Sequence, residues 1–404
     1  MNLSDELKWR GFVNQTTYND LATLDGDPVK FYLGVDPSAD SMTIGNLAVI
    51  MLVRHFIDHG HKAYLLVGGA TGMIGDPDGK ANERNQKTIE EISKNKVGIA
   101  AQYSQILAGS EFTVVDNYDW FKDMNYLDFL RNVGKHVPIS QMLGRDFVQA
   151  RLGNDGSGIS YAEFSYSLIQ GYDFVHLFRE HGVTLQLCGA DQWGNSVTGV
   201  DLIRRIEGKE SHVYSAPLVI NKTTGVKFGK SEGGAIWLDA NKTSVYQFYQ
   251  FWLNADDAGV IDYMKIYTLL DKETIDRLSE EVKNNPGARV AQKTLAAAVT
   301  SIVHGEQRTK SVERVTDVFF GNANFNDLHD DDLEVLSKEI PVSVLGKTLI
   351  DILVETDQAS SNGEARRLIN SGAVSVNSKK IDQDQLVIST SLIKKGKNSF
   401  VLVK

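Results

Sequence analysis

Over the first 230 residues, short apolar runs rich in β-branched and aromatic side chains alternate with longer stretches of helical period. Lys30–Val35, Ala63–Val67, Phe112–Val115 and Thr184–Leu187 read as strands, and Gly45–His59, Asn85–Leu107, Ala162–His181 and Asp191–Glu207 as helices. Strands that alternate with helices predict an α/β domain around a largely parallel sheet. Ligands of such sheets sit at the carboxyl ends of the strands, so polar residues just after a strand are the first candidates for function. From Thr243 to about Phe320 the pattern is helical throughout, as in Ala288–Val303. The next 20 residues include Gly321-Asn-Ala-Asn and Asp330-Asp-Asp332, a polar acidic stretch suited to a linker. Beyond it a helix, Gly363–Asn370, precedes the β-rich runs Val374–Val376 and Leu386–Ile388, which predict a small α+β domain. The expected organisation is an α/β domain over 1–240, a helical domain over 241–325, a linker over 326–342 and a small α+β domain over 343–404.

Composition narrows this picture. With 404 residues, 42% of them apolar, the chain can bury cores in two or three domains. No run approaches the roughly 20 apolar residues of a bilayer span, and the polar start Met1-Asn-Leu-Ser-Asp-Glu is unlike a secretory leader, so a cytoplasmic protein is expected. The single cysteine, Cys188, excludes an intramolecular disulfide and a multi-cysteine zinc site. A net charge of −10 argues against a nucleic-acid partner, but the average conceals an asymmetry. Residues 341–404 carry nine Lys or Arg and six Asp or Glu, a net +3, which leaves −13 on residues 1–340.

Four constellations carry candidate chemistry. The first is Tyr32-Leu-Gly34-Val-Asp36-Pro37-Ser38-Ala-Asp40-Ser41-Met-Thr43-Ile-Gly45-Asn46, a strand, turn and helix start. Unpaired N–H groups and the helix dipole favour an anion there, and Gly45 leaves backbone open to a bulky ligand. The second, Gly68-Gly69-Ala-Thr71-Gly72-Met-Ile-Gly75-Asp76-Pro77-Asp-Gly79-Lys80-Ala-Asn-Glu-Arg84, again follows a strand. Its glycines imply backbone in close contact with a neighbour, and Asp76, Lys80 and Arg84 suit an ammonium group and phosphates. It is not a dinucleotide fingerprint: the glycines are spaced by three, and the run follows the second strand, not the first. The third places Tyr166, Gln170 and Asp173 on one helical face, followed by the strand and turn of Thr184-Leu-Gln-Leu-Cys-Gly189-Ala-Asp191-Gln192-Trp-Gly-Asn195. Two adjacent elements can thus aim amides and carboxylates at one pocket. The fourth, Gly225-Val-Lys227-Phe-Gly229-Lys230-Ser231, is a glycine-flanked lysine loop able to close over a polyphosphate.

Together these segments resemble the class I aminoacyl-tRNA synthetases. Thr43-Ile-Gly45-Asn46 is similar to their HIGH signature and Lys227-Phe-Gly-Lys230-Ser231 to KMSKS. The phrases Tyr32-x-Gly-x-Asp-Pro, Gly75-Asp-Pro-x-Gly-Lys80, Tyr166-x-x-x-Gln170-x-x-Asp173 and Gly189-x-Asp191-Gln192-Trp-Gly-Asn resemble the bacterial tyrosyl branch. Ser361-Asn-Gly-Glu-Ala-Arg366-Arg367 through Asn377 is similar to the S4-type RNA-binding module of that branch. The resemblance spans nearly the whole chain, with the motifs in order.

The resemblance implies a Rossmann-like catalytic domain with a dimerisation insertion at about 117–161, a helical anticodon-region domain and an S4-like tail. It implies a tyrosine–tRNA ligase that joins L-tyrosine to AMP from ATP, then transfers the tyrosyl group to tRNA(Tyr), as a homodimer with no membrane partner. No tightly bound cofactor or protein-held metal is expected; ATP is a substrate and Mg2+ accompanies it. By position, Tyr32 and Asp173 resemble the pair that binds the tyrosine hydroxyl; Asp76, Tyr166 and Gln170 resemble the ammonium site, and Gln192 the carboxylate side. Asp36, Ser38, Gly45, Asn46, Gly189 and Asp191 resemble ATP contacts. Thr43, Asn46, Lys80, Arg84, Lys227 and Lys230 resemble the catalytic set around the leaving pyrophosphate, and Arg366, Arg367, Lys379 and Lys380 would meet RNA. Two positions depart from the pattern: Thr43 stands where HIGH has its first histidine, and Ser38 where threonine is common. Each keeps a hydroxyl donor, but shorter reach and neutrality put the rate of catalysis in question.

Overall fold

The computed structural model describes residues 1–77, 87–153, 156–231, 234–321 and 323–404, with Asp146, Phe147, Lys230 and Ser231 described in backbone alone. These residues form two compact units, 1–243 with 254–303, and 244–253 with 304–404. The predominantly helical stretch 241–325 is therefore divided between them.

The first unit is built on β1 (Gln15–Thr16), β2 (Lys30–Val35), β3 (Lys62–Val67), β4 (Phe112–Asp116), β5 (Leu185–Gly189) and β6 (His212–Ala216). They lie in the order β1-β6-β5-β2-β3-β4, every pair parallel except β1 with β6. The four strands read from sequence are present, within a residue or two at their ends. The two not anticipated are the two-residue β1 and β6, a short run with little apolar alternation. Phe31, Tyr32, Leu33, Leu65, Leu66, Val67, Leu185 and Leu187 are all buried, because helices cover both faces of a parallel sheet. Since β3 and β4 follow on one side of β2 and β5 and β6 lie on the other, the topological switch falls between β2 and β5. A crevice at their carboxyl ends is the expected ligand site.

Four helices shape that crevice: α1 (Ile44–Asp58), α2 (Ile89–Ile106), α3 (Tyr161–His181) and α4 (Trp193–Glu207). Ser160 caps α3 by accepting from the Glu163 N–H at 3.3 Å, and Gly182 ends it at φ 68°. α3 and α4 pack backbone to side chain at two glycines. A Cβ at Gly171 would lie 2.9 Å from Leu202 Cδ1, and one at Gly199 2.9 Å from Phe174 Cβ. Close approach brings both polar faces to the same end of the sheet. No described helix is long and apolar enough to cross a membrane.

The second unit centres on a five-stranded sheet of Val342–Ser343, Val374–Val376, Lys379–Ile381, Ser391–Lys395 and Ser399–Val403. Leu349, Ile352, Leu353, Ala365, Ile369, Val374, Ile393 and Val401 form one core cluster. A separate cluster joins Val315 and Phe319 of the helix Glu306–Phe320, and Leu336 of the helix Asp330–Glu339, to Leu392, Phe400 and Leu402. The acidic stretch read as a linker is thus helical from Asp330 to Glu339. Its Asp332 is fully buried, accepting from Arg314 Nε and Nη2 at 2.8 Å, from Ser311 Oγ and from the His329 N–H. One aspartate of the triplet is consumed by capping and ion pairing, a use that composition does not distinguish from solvation.

Near the amino terminus of the first unit, His55 is buried, with Nδ1 3.3 Å from Glu6 and Nε2 without a partner. Burial first, then the positive charges of Arg10, His59 and Arg54, hold its pKa down from 6.5 to about 3. Below pH 6.5 the unfolded chain binds a proton that the folded chain refuses until about pH 3, so His55 favours folding above that window and this contribution is lost as pH falls through it. His55→Phe is expected to flatten the acid loss of stability by up to about 1.4 kcal/mol per pH unit between about pH 6 and about pH 4. Urea unfolding at stepped pH checks this; equal slopes in parent and variant would show that His55 is not the group responsible.

Candidate active site

β2 ends in Gly34-Val35 and delivers Asp36, while Tyr32, two residues earlier, lies against α3 with its ring 5.2 Å from Phe174. Tyr32 is buried, and its hydroxyl has no hydrogen-bond partner. Burial, then the neighbouring Asp173, then Cys188 push its pKa well above that of an ordinary phenol. Asp173 projects from α3 into the same region and is 2% exposed. Its Oδ1 accepts from Trp120 Nε1 at 2.9 Å and its Oδ2 from Asn117 Nδ2 at 3.1 Å. Burial drives this carboxyl well above the usual carboxylate range, against the pull of those two donors, and the charges of Asp36 and Asp116 add to the rise.

One and two turns earlier on α3 stand Gln170 and Tyr166. Tyr166 is buried and donates to Asp36 Oδ2 at 2.7 Å; Gln170 Oε1 is buried without a partner. Burial, then Asp36 and Asp76, hold the Tyr166 phenol well above its ordinary pKa. Asp76, just after the β3 turn, accepts from Gln192 Nε2 and, at 3.5 Å, from Asn195 Nδ2. Gln192 and Asn195 straddle the start of α4, so β2, β3, β5, α3 and α4 all contribute to a single polar cluster at the carboxyl edge of the sheet. Cys188 is a buried wall residue whose thiol burial pushes up to about 12, which makes it unreactive.

The close backbone contact that the glycine-rich run implies is with the protein's own residues. A Cβ at Gly68 would lie 2.1 Å from Thr71 Oγ1 and 2.5 Å from Asp36 Oδ1, one at Gly69 2.3 Å from Asp116 Oδ1, and one at Gly72 2.9 Å from Pro37 Cδ. These glycines make room for the protein's own residues. Gly45 is the reverse case: a Cβ there would meet only Thr43 Oγ1, at 3.6 Å, so the protein itself does not require glycine.

Thr43 and Asn46 form the cap of α1. The Thr43 N–H and hydroxyl donate to Asn46 Oδ1 at 3.0 and 3.1 Å. The same segment pairs with the chain that leaves the lysine loop: Ile44 N donates to Ile236 O at 3.1 Å and Leu238 N to Met42 O at 2.9 Å. Within that loop, between its two lysines, Phe228 is buried and stacks on Tyr263 at 4.1 Å. Lys227 reaches Asp191 at 3.4 Å, and Lys230 pairs with Ala235 through its backbone. Lys80 and Arg84 lie outside the described residues, as does the side chain of Lys230. Ser38 sits at the turn after β2, its N–H donating to Asp36 O at 2.8 Å, and Gly189 closes β5 beside Asp191. In the second unit Arg366 and Arg367, on the helix Asn362–Asn370, and Lys379 and Lys380, on a strand, are all exposed.

Sequence reasoning missed Asn117 and Trp120, which fix Asp173, and Thr71, to which Asn117 donates at 3.0 Å. Asn117 follows Asp116 at the carboxyl end of β4, so the strand-end rule could have found it. Trp120 carried no such signal.

A largely parallel sheet with a polar cluster at the carboxyl ends of its central strands defines an α/β protein whose expected ligand site is that edge. The chain belongs to the class I tRNA synthetases: the family model "tRNA synthetases class I (W and Y)" matches residues 24–321, and the "Tyrosine--tRNA ligase SYY-like C-terminal domain" matches residues 332–404. It is 42% identical to the tyrosine–tRNA ligase of Flavobacterium psychrophilum, over 100% of this chain and 97% of the relative. It is 41% identical to tyrosine–tRNA ligase 1 of Enterococcus faecalis, over 100% and 99%. Among solved structures, a C-terminally truncated mitochondrial tyrosyl-tRNA synthetase of Aspergillus nidulans matches with TM-score 0.70 and 29% identity, over 77% of this chain and 92% of that one. The tyrosyl-tRNA synthetase of Archaeoglobus fulgidus complexed with L-tyrosine, at 14% identity and TM-score 0.58 over 76% of this chain and 99% of that one, shares the fold.

Proposed function

We propose that the protein is a tyrosine–tRNA ligase, which makes tyrosyl-adenylate and pyrophosphate from L-tyrosine and ATP and then esterifies the 3'-terminal adenosine of tRNA(Tyr). The observation that carries the choice of amino acid is the buried pair of Asp173 and Tyr32. The Asp173 carboxylate is held by two N–H donors and faces the same region as a phenol hydroxyl that has no partner. A substrate phenol can donate to the carboxylate and accept from Tyr32, which phenylalanine cannot do.

The rest of the cluster suits an α-amino acid. Asp76, Tyr166 and Gln170 take the ammonium group and Gln192 the carboxylate side, which leaves a carboxylate oxygen directed at the α-phosphorus. That oxygen is already ionised, so the first step needs no general base; alignment and cationic stabilisation of the departing phosphates supply the acceleration. Lys80, Arg84, Lys227 and Lys230 are the cations for that task, with Asp36, Ser38, Gly45, Asn46, Gly189 and Asp191 around the nucleotide. Mg2+ enters with the ATP phosphates, which bind it through oxygen. In the second step a ribose hydroxyl of tRNA attacks the acyl carbon and AMP leaves. Arg366, Arg367, Lys379 and Lys380 meet RNA phosphates in a cytoplasmic enzyme.

The 117–161 segment presents Tyr126, Leu127, Ile139, Leu152 and Tyr161, each more than half exposed, a concentration of surface apolar area that marks an interface. This is the face of a homodimer. Light scattering at micromolar concentration is expected to give twice the 44.7 kDa chain mass, and a monomer at that concentration would rule the dimer out.

Pyrophosphate exchange is expected with tyrosine and at least a hundredfold less with phenylalanine, since a bond to the charged Asp173 is lost and the buried Tyr32 hydroxyl is left unpaired, together about 3 kcal/mol. Comparable exchange with both amino acids would sink the assignment. The Thr43 hydroxyl already donates to Asn46, so Thr43→Ala removes a neutral, short-range donor and is expected to cost about 1 kcal/mol in the exchange barrier. Lys230→Ala, which removes a full charge from the phosphates, should cost more. The reverse order, measured at saturating tyrosine and varied ATP, would assign Thr43 a different role.

A further inference from the structure

The cluster around Asp76 has a polarity that must be set from outside, because amides can present either end. Asn195 is buried, and its Oδ1 accepts from Arg145 Nη1 at 2.6 Å. Arg145 Nη2 also donates to Gly194 O at 2.9 Å and to Thr198 Oγ1 at 2.6 Å, so the guanidinium grips the first two turns of α4 at three points. A guanidinium has donors only, and it therefore compels the carbonyl end of the Asn195 amide to face it. The amino end is then turned inward, 3.5 Å from Asp76 Oδ1 and 3.4 Å from Gln192 Oε1. With Gln192 Oε1 accepting, Gln192 Nε2 is the end that donates to Asp76 Oδ2. Were the Asn195 amide reversed, its oxygen would oppose the Asp76 carboxylate, acceptor against acceptor.

We propose that Arg145 is a positioning residue for the amino-acid substrate, fixing through Asn195 the orientation of Gln192 and Asp76 without touching the substrate. The inference rests on the tyrosine-activating reading above and adds a residue from outside the motifs. Arg145 precedes the short helix Asp146–Leu152, and Gln141 of the preceding helix Ile139–Leu143 donates to Asp201 Oδ2 on α4 at 2.8 Å. The segment that carries the exposed apolar Ile139 and Leu152 is thus tied to α4 at both its start and its middle.

The test is tyrosine-dependent pyrophosphate exchange by the full chain without tRNA, which excludes any role of Arg145 in RNA binding. Arg145→Met should raise the KM for tyrosine about tenfold, the loss of one charge-assisted hydrogen bond, with the KM for ATP within about twofold. Arg145→Lys, a cation that still compels the Asn195 carbonyl to face it, should recover most of that loss. Because the effect passes through Asn195, Arg145→Met combined with Asn195→Ala should be no worse than Asn195→Ala alone. If Arg145→Met is too unstable to assay, Arg145→Gln takes its place, since it can present either amide end and no longer dictates polarity. An unchanged tyrosine KM in Arg145→Met or its Gln substitute, equal rises in both KM values, or additive effects in the double variant would each overturn the proposal. A parent chain without tyrosine-dependent exchange would refute the functional reading and this inference with it, whereas an active parent with unaffected variants overturns this inference alone.

Discussion

Much of the first unit is organised by the burial of one carboxylate. Asp173 is 2% exposed, and a carboxylate removed from water is tolerated only when hydrogen bonds replace its hydration. Its two donors come from the segment after β4, and the same Asn117 that serves it also donates to Thr71, while Asn117 Oδ1 accepts from Ala70 N at 2.7 Å. Trp120, the second donor, stacks on His176 of α3 at 4.3 Å. Satisfying this one group therefore fixes the end of β4, the glycine turn after β3 and the rotation of α3 together. The cost of leaving such a group unpaired, several kcal/mol, is large against the net stability of a domain.

A second constraint acts at the phosphate side. The start of α1 is not an isolated helix terminus, since residues 42–44 pair in antiparallel fashion with 236–238. Gln102 of α2 adds to this, accepting from Met42 N and donating to Ser41 Oγ, both at 2.8 Å. The lysine loop is therefore held beyond Lys230 by that pairing and, between Lys227 and Lys230, by the Phe228 stack on Tyr263.

Thr43 becomes intelligible in this setting. It caps α1 jointly with Asn46, a structural duty that a threonine at a helix start performs well. In the glycine turn, the neighbours that the close-packed backbone meets are Asp36, Asp116, Pro37 and Thr71. Both results follow from the same fact, that a glycine or a small polar residue states what the backbone needs without saying which neighbour imposes it.

The sequence by itself determined the alternating α/β pattern, the four inner strands to within a residue or two, and the common helical face of Tyr166, Gln170 and Asp173. These were legible because buried parallel strands are continuous apolar runs, helical spacing places side chains on a common face, and function gathers just after strands. Tertiary structure alone decided the rest. That Asp173 depends on Trp120 and Asn117, that Arg145 sets the Asn195 amide 50 residues away, and that Asp332 is buried among Ser311 and Arg314 are contacts between residues distant in the chain. No local periodicity encodes such pairs, because what selects them is the need of each buried polar group for a partner, and that need arises only when packing removes water.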